Sequence, residues 1–124
     1  METIASNGAP KAIGPYSQAV VSNGLLFTSG QIALDPATGE LVKGDFSAQA
    51  RRVFQNLGAV LKEAGSGFDR VLKATVYLTD LGNFQTLNTI YAEYFGSHKP
   101  ARTTVGVKEL PKGAAVEIDL IALL

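Results

Sequence analysis

Asn23 and Gly24 sit between two short apolar runs, Ala19-Val20-Val21 and Leu25-Leu26-Phe27, and commit this stretch to a β-hairpin. A two-residue loop of the twist-matched kind needs positive φ at both positions, and Asn-Gly supplies that at least steric cost. The pairing register follows. Val21 faces Leu26, Ala19 faces Thr28, Gln18 faces Ser29 and Ser17 faces Gly30, with Tyr16 beside Gln31. The segments Gly14-Pro15-Tyr16-Ser17 and Thr28-Ser29-Gly30-Gln31 therefore become neighbours, gathering a phenol, hydroxyls and accessible glycine backbone at one end of the hairpin. The same residue types also suit a plain strand end.

Beyond Asp35-Pro36-Ala37-Thr38-Gly39, a turn by composition, the apolar period changes. Phe46, Ala50, Val53, Phe54, Leu57, Val60, Leu61 and Ala64 recur at helical spacing, with Asp45 placed as N-cap and Gly65 as the stop. A strand is predicted over Val71 to Thr79, with Leu72, Ala74, Val76 and Leu78 on one face and Lys73, Thr75 and Tyr77 on the other. A second helix carries Phe84, Leu87, Ile90, Tyr91, Tyr94 and Phe95 and stops near Gly96, its aromatics spaced for packing rather than for a binding platform. Two more strands close the chain, and Arg102 and Thr104 share a face of the first of them. In the last, Val116, Ile118, Leu120, Ala122 and Leu124 alternate with Glu117, Asp119, Ile121 and Leu123. Two helices cover only one side of such a sheet, yet the strands offer apolar groups on both. The uncovered side needs a partner, and self-association is the simplest supplier.

A length of 124 residues suits one domain spanning 1–124, with no repeat, linker or low-complexity tract. Eleven basic residues only balance eleven acidic ones, which argues against a general nucleic-acid binder. With no cysteine, disulfide frameworks, thiolate zinc sites and thiol nucleophiles are excluded. His98 is the single histidine and lies in Gly96-Ser97-His98-Lys99-Pro100, so it reads as an exposed loop residue, not a metal ligand. No targeting segment or membrane-length apolar run is visible, and a cytoplasmic protein is expected.

Against this background stand one arginine in Pro100-Ala101-Arg102-Thr103-Thr104-Val105 and one glutamate in Ala115-Val116-Glu117-Ile118-Asp119. A planar guanidinium grips a carboxylate at two points, and a half-buried glutamate can hold or deprotonate a water. Ordinary strand-end charges facing solvent would have the same sequence appearance.

The chain resembles the RidA-type reactive intermediate deaminases of the YjgF superfamily along essentially its whole length. The resemblance is carried by Ala12-Ile13-Gly14-Pro15-Tyr16-Ser17-Gln18-Ala19, Phe27-Thr28-Ser29-Gly30-Gln31-Ile32, Ala48-Gln49-Ala50-Arg51, Asn56-Leu57, Val76-Tyr77-Leu78-Thr79-Asp80, Asn88-Thr89-Ile90-Tyr91, Pro100 to Val105, and Val116-Glu117-Ile118. It implies an α+β fold like that of the Bacillus chorismate mutase: a six-stranded mixed sheet with two helices on one face, assembled as a homotrimer with sites between subunits. The implied activity is hydrolysis of 2-imino acids and their enamines, such as 2-iminopropanoate and 2-iminobutanoate, to 2-oxo acids and ammonia without metal or cofactor. Carried over by position, Arg102 would clamp the substrate carboxylate and Glu117 would orient and activate water. Tyr16, Ser29, Gly30 and Asn88 would line the pocket, and the Thr104 backbone would meet the imine end. Many family members have cysteine where this chain has Thr104, so a thiol mechanism is closed while a backbone role stays open. Two other classes known among relatives are a translation-inhibiting endoribonuclease and a non-catalytic 2-oxo acid binder or chaperone-like protein. The scattered basic residues Lys99, Arg102, Lys108 and Lys112 lack interleaved aromatics for stacking bases.

Overall fold

The computed structural model describes residues 1–124 and shows a six-stranded mixed sheet with two main helices. Its strands are β1 (Glu2–Ile4), β2 (Ala19–Ser22), β3 (Leu25–Thr28), β4 (Val71–Leu78), β5 (Ala101–Gly106) and β6 (Val116–Leu123); the helices are α1 (Phe46–Glu63) and α2 (Phe84–Phe95). Spatial order is β1-β2-β3-β6-β4-β5, and β4/β5 is the only parallel pair. A parallel pair needs a crossover, and α2 with its flanking turns provides it.

The hairpin is centred on Asn23-Gly24, with φ of 53° and 76° at the two loop residues. Val21 pairs Leu26 and Ala19 pairs Thr28, as the turn chemistry demands. Asp45 caps α1 from an extended conformation, its Oδ1 accepting the Ala48 N–H at 3.0 Å. Beyond α1, Gly65 takes φ 80°, and α2 ends at Gly96 with φ 60°. The apolar stripe of α1, including Val53, Phe54, Leu57, Val60 and Leu61, is fully buried against the inward residues of β6 and β4. Each such side chain contributes about 1.5–3 kcal/mol on leaving water, so α1 is held by its face rather than by its propensity.

Two details differ from expectation. β1 was not predicted, because three residues carry no readable alternation; it forms by pairing with β2 at the sheet edge. In β4 the core residue at the start is Val71, not Leu72, which is 44% exposed. A bulge between Val71 and Lys73 inserts Leu72 and shifts the pleat by one, after which Ala74, Val76 and Leu78 face inward as expected. No helix is long and apolar enough to cross a membrane.

Strand pairing assigns every site residue to a side of the sheet. Val76 pairs Ile118 and Thr104, while Tyr77 pairs Glu117 and Val105. Val76 and Ile118 are buried beneath the helices. Arg102 and Thr104 are therefore on the helix-covered side, whereas Glu117, Asp119, Tyr77, Thr103 and Val105 belong to the open side.

Candidate functional site

Glu117 stands on β6 at one end of the open face, and a break in the ladder shapes its surroundings. Phe27 pairs Ile121 and Gln31 pairs Ile118, so the three residues Thr28–Gly30 oppose only Asp119 and Leu120. This bulge re-aims the backbone, and Thr28 Oγ1 substitutes for the missing ladder acceptor by taking the Leu120 N–H at 2.9 Å. Gly30 is thereby pressed onto Glu117. A Cβ at Gly30 would lie 2.8 Å from the Glu117 carboxyl carbon, so only glycine leaves room for the carboxylate there.

A cavity of about 390 Å³ opens at this point, and Tyr16, Gly30, Gln31, Ile32 and Glu117 are among its lining residues. Ser29 is bound to the wall behind: its N–H donates to Gln18 O at 2.9 Å and its hydroxyl to Ser17 O at 2.6 Å. The carboxyl of Glu117 is pushed up from the ordinary carboxylate range, first by burial and then by the neighbouring Asp119. Asp119 is itself raised by burial, against the lowering effects of its hydrogen bond from Tyr77 (3.2 Å) and of Lys73.

Arg102 belongs to a second concavity, a groove of about 450 Å³ that it shares with Asn88, Tyr91, Ala92, Phe95 and His98. Its guanidinium carbon stands 4.7 Å from the Tyr91 ring centroid and 5.5 Å from that of Phe84. Cation–π contact with two rings holds the cation in one place without neutralising it. The sole ion pair in the chain, Arg51 with Glu93, lies elsewhere. Nearby, the hydroxyls of Tyr91 and Thr104 are buried without hydrogen-bond partners. The aromatic positions Phe84 and Tyr91 thus do more than pack, contrary to the reading of their spacing. The signal available in the sequence was that Asn88 and Tyr91 stand three apart on one helix face. His98 is likewise less free than expected, since Nε2 lies 2.7 Å from Val71 O.

The structure therefore gathers the predicted residues into two groups. Tyr16, Gly30 and Glu117 meet in the cavity, with Ser29 behind them; Asn88 and Arg102 meet in the groove, with Thr104 on the same sheet face. Within one chain the groups do not converge, because the sheet lies between them and two strand spacings separate β5 from β6. The expectation that Arg102 and Glu117 act on one small molecule is met by no single copy.

A family model described as Endoribonuclease L-PSP matches residues 6–124. The chain belongs to this family. A RutC family protein of Pyrococcus horikoshii is 51% identical over 98% of this chain and 96% of its own length. The human 2-iminobutanoate/2-iminopropanoate deaminase is 46% identical, covering 97% of this chain and 88% of its own length. TdcF of E. coli, solved with bound serine, is 40% identical with a TM-score of 0.94, covering 100% of this chain and 99% of its own. The RidA/YjgF resemblance and the six-stranded fold read from the motifs are thus established for this L-PSP chain. Names within the family span deaminase, RutC and endoribonuclease, so membership alone leaves the reaction open.

Proposed function

We propose that this protein is a hydrolytic deaminase of small 2-imino acids, with a site formed where Arg102 of one copy meets Glu117 of another. The observation that carries the reading is the separation just described: a fixed, unpaired guanidinium and a pocketed glutamate with a raised pKa, on opposite sides of one sheet. An unpaired, partly desolvated arginine is matched by an anion of planar fork geometry, and a 2-imino acid carries one beside its electrophilic carbon. With the carboxylate so held, Glu117 takes a proton from water as the oxygen adds to C2. Glu117 returns that proton to the imine nitrogen to give the neutral carbinolamine, then takes the carbinolamine hydroxyl proton and passes it to the same nitrogen as the C=O forms. The C–N bond breaks, ammonia leaves, and a 2-oxo acid remains. Imine hydrolysis is intrinsically fast, so acid–base assistance of about 10²–10⁴ suffices.

A homotrimer would bring the two halves together. Support for an association between copies comes from the open face, where Phe27, Val105 and Leu123 remain 37–41% exposed beside Glu117 and Asp119. A ring of three heterologous contacts gives three equivalent composite sites. The ribonuclease reading finds less to work with, since the one imidazole is engaged with a backbone carbonyl and the basic residues do not cluster.

The test couples this protein to a serine or threonine dehydratase and measures ammonia release while semicarbazide competes for free imine. Acceleration over buffer is expected, from a particle three times the 13.0 kDa chain. No acceleration would end the deaminase reading, and a monomer at micromolar concentration would end the composite site.

Gly30→Ala offers a sharper probe in the same assay. The clash it creates is with the end of a flexible side chain, so the fold should survive while the carboxylate moves. Turnover should fall by about a hundredfold, as for a misplaced catalytic group, with an unchanged melting profile. Full activity would mean that the position of Glu117 above Gly30 is irrelevant.

A further inference from the structure

A buried polar link joins α1 to the wall of the Glu117 cavity. Asn56 is fully buried in α1 between the apolar Val53 and Val60 turns. Its Nδ2 donates to Leu34 O at 3.0 Å and to Ile32 O at 3.3 Å, and its Oδ1 accepts from Arg52 Nε at 2.9 Å. The Arg52 bond orients the amide, so that both amide hydrogens point at the two carbonyls. An apolar residue of similar volume would take the amide donor from both carbonyls, so the bonds stabilise this junction as well as fix its geometry.

Placement is what these bonds provide. The segment that Asn56 grips is held from the other side by β6, where Gln31 N–H donates to Ile118 O at 2.9 Å and Ile118 N–H returns a bond to Gln31 O at 3.1 Å. Gln31, Ile32 and Leu34 all line the cavity, and Gly30, just before them, is the residue pressed onto the Glu117 carboxylate. From this clamp we infer that Asn56, oriented by Arg52, is a positioning residue that fixes the Gly30–Leu34 wall and through it the place and dryness of the Glu117 carboxylate. The catalytic part of this rests on the deaminase reading; the geometric part does not.

The remaining groups facing Glu117 are Asp119 on its own strand, Tyr77 on β4, and Tyr16, Lys11 and Lys112 around the cavity. None of them contacts Asn56 through a hydrogen bond. Loosening the wall should therefore change Glu117 by admitting water, leaving its charged neighbours in place. Burial is the first cause of its raised pKa, so hydration should lower it.

Two variants test this. Asn56→Leu removes all three bonds while keeping an apolar volume in the core, and Arg52→Met removes only the orienting bond on the more exposed side. For each, turnover is measured against pH, together with the folded fraction and the carbon NMR titration of the Glu117 carboxyl without substrate. Asn56→Leu should lower kcat by about tenfold to a hundredfold, with Arg52→Met in the same direction but smaller. KM should stay near wild type, because the carboxylate-binding Arg102 is on the other face. In both variants the acid limb of kcat and the NMR midpoint of Glu117 should move to lower pH. A loss of activity that only follows the folded fraction, with the Glu117 titration unmoved, would show a merely structural role and overturn the inference. If Asn56→Leu does not fold, the titration in Arg52→Met decides alone. Wild type and Glu117→Gln run alongside separate the two readings: no acceleration by wild type sinks the deaminase reading, wild-type turnover in Glu117→Gln removes Glu117 from the chemistry, and the NMR midpoints still judge the wall.

Discussion

Glu117→Gln is expected to lower 2-imino acid turnover by about 10²- to 10⁴-fold, the range of general acid–base assistance, while a stable 2-oxo acid still binds. The amide keeps the volume of the carboxylate above Gly30, so the cavity should be undisturbed. What disappears is the anion that the proposed mechanism uses to take and return the proton. Because burial and Asp119 raise the Glu117 pKa, the wild-type protein should lose this activity on acidification earlier than an ordinary carboxylate would dictate. In the proposed mechanism Glu117 acts ionised, and with its pKa raised the rate should fall as pH drops through that raised value. The acid limb should be absent from whatever residual rate the variant retains. Calorimetric binding of a 2-oxo acid combined with the dehydratase-coupled assay checks both parts, and a variant that binds nothing or turns over normally would contradict the assigned role.

Arg102 should give the complementary phenotype. Arg102→Lys keeps the charge but not the fork, and the lost charged hydrogen bond is expected to cost about 1.5–3 kcal/mol in kcat/KM. Binding of the stable 2-oxo acid should fail along with turnover. The decisive version mixes two inactive chains. If Arg102 and Glu117 act from different copies, co-refolding Arg102→Ala with Glu117→Gln should restore activity at about one quarter of the sites in randomly mixed rings, since each site draws its two halves from neighbouring chains. Both parents should remain inactive alone. An inactive mixture that demonstrably contains hybrid trimers would place both residues in one subunit's site, against the sheet geometry.

Much of the frame was readable because its causes are local. The Asn23-Gly24 turn dictates its own register, and a helical stripe bounded by Asp45 and Gly65 needs nothing distant to be recognised. The bulges were not readable, since Leu72 and the Thr28–Gly30 segment become irregular only through the strands they pair with. The same holds for Asn56, whose polarity in an apolar stripe is explained by two carbonyls more than twenty residues away.

The candidate site divides in the same way. Residue types and the hairpin register singled out Arg102, Glu117, Tyr16 and Gly30, the family resemblance added Asn88, and Arg102 fell with Thr104 on one strand face because alternation along a strand is a property of the backbone. Which face turns toward the helices was decided only by tertiary structure. The pattern of β5 favours burying Ala101, Thr103 and Val105, yet Val105 is 37% exposed and Arg102 lies beneath α2. Parallel pairing with β4 sets that orientation: Ala74 and Val76 must face the core, and Arg102 and Thr104 follow them in register. The aromatic faces of Tyr91 and Phe84 make the inward arginine tolerable. Antiparallel pairing on the other side of β4 then leaves Glu117 with Tyr77 on the open face, so the two charges the sequence offers as a pair end on opposite sides of one sheet.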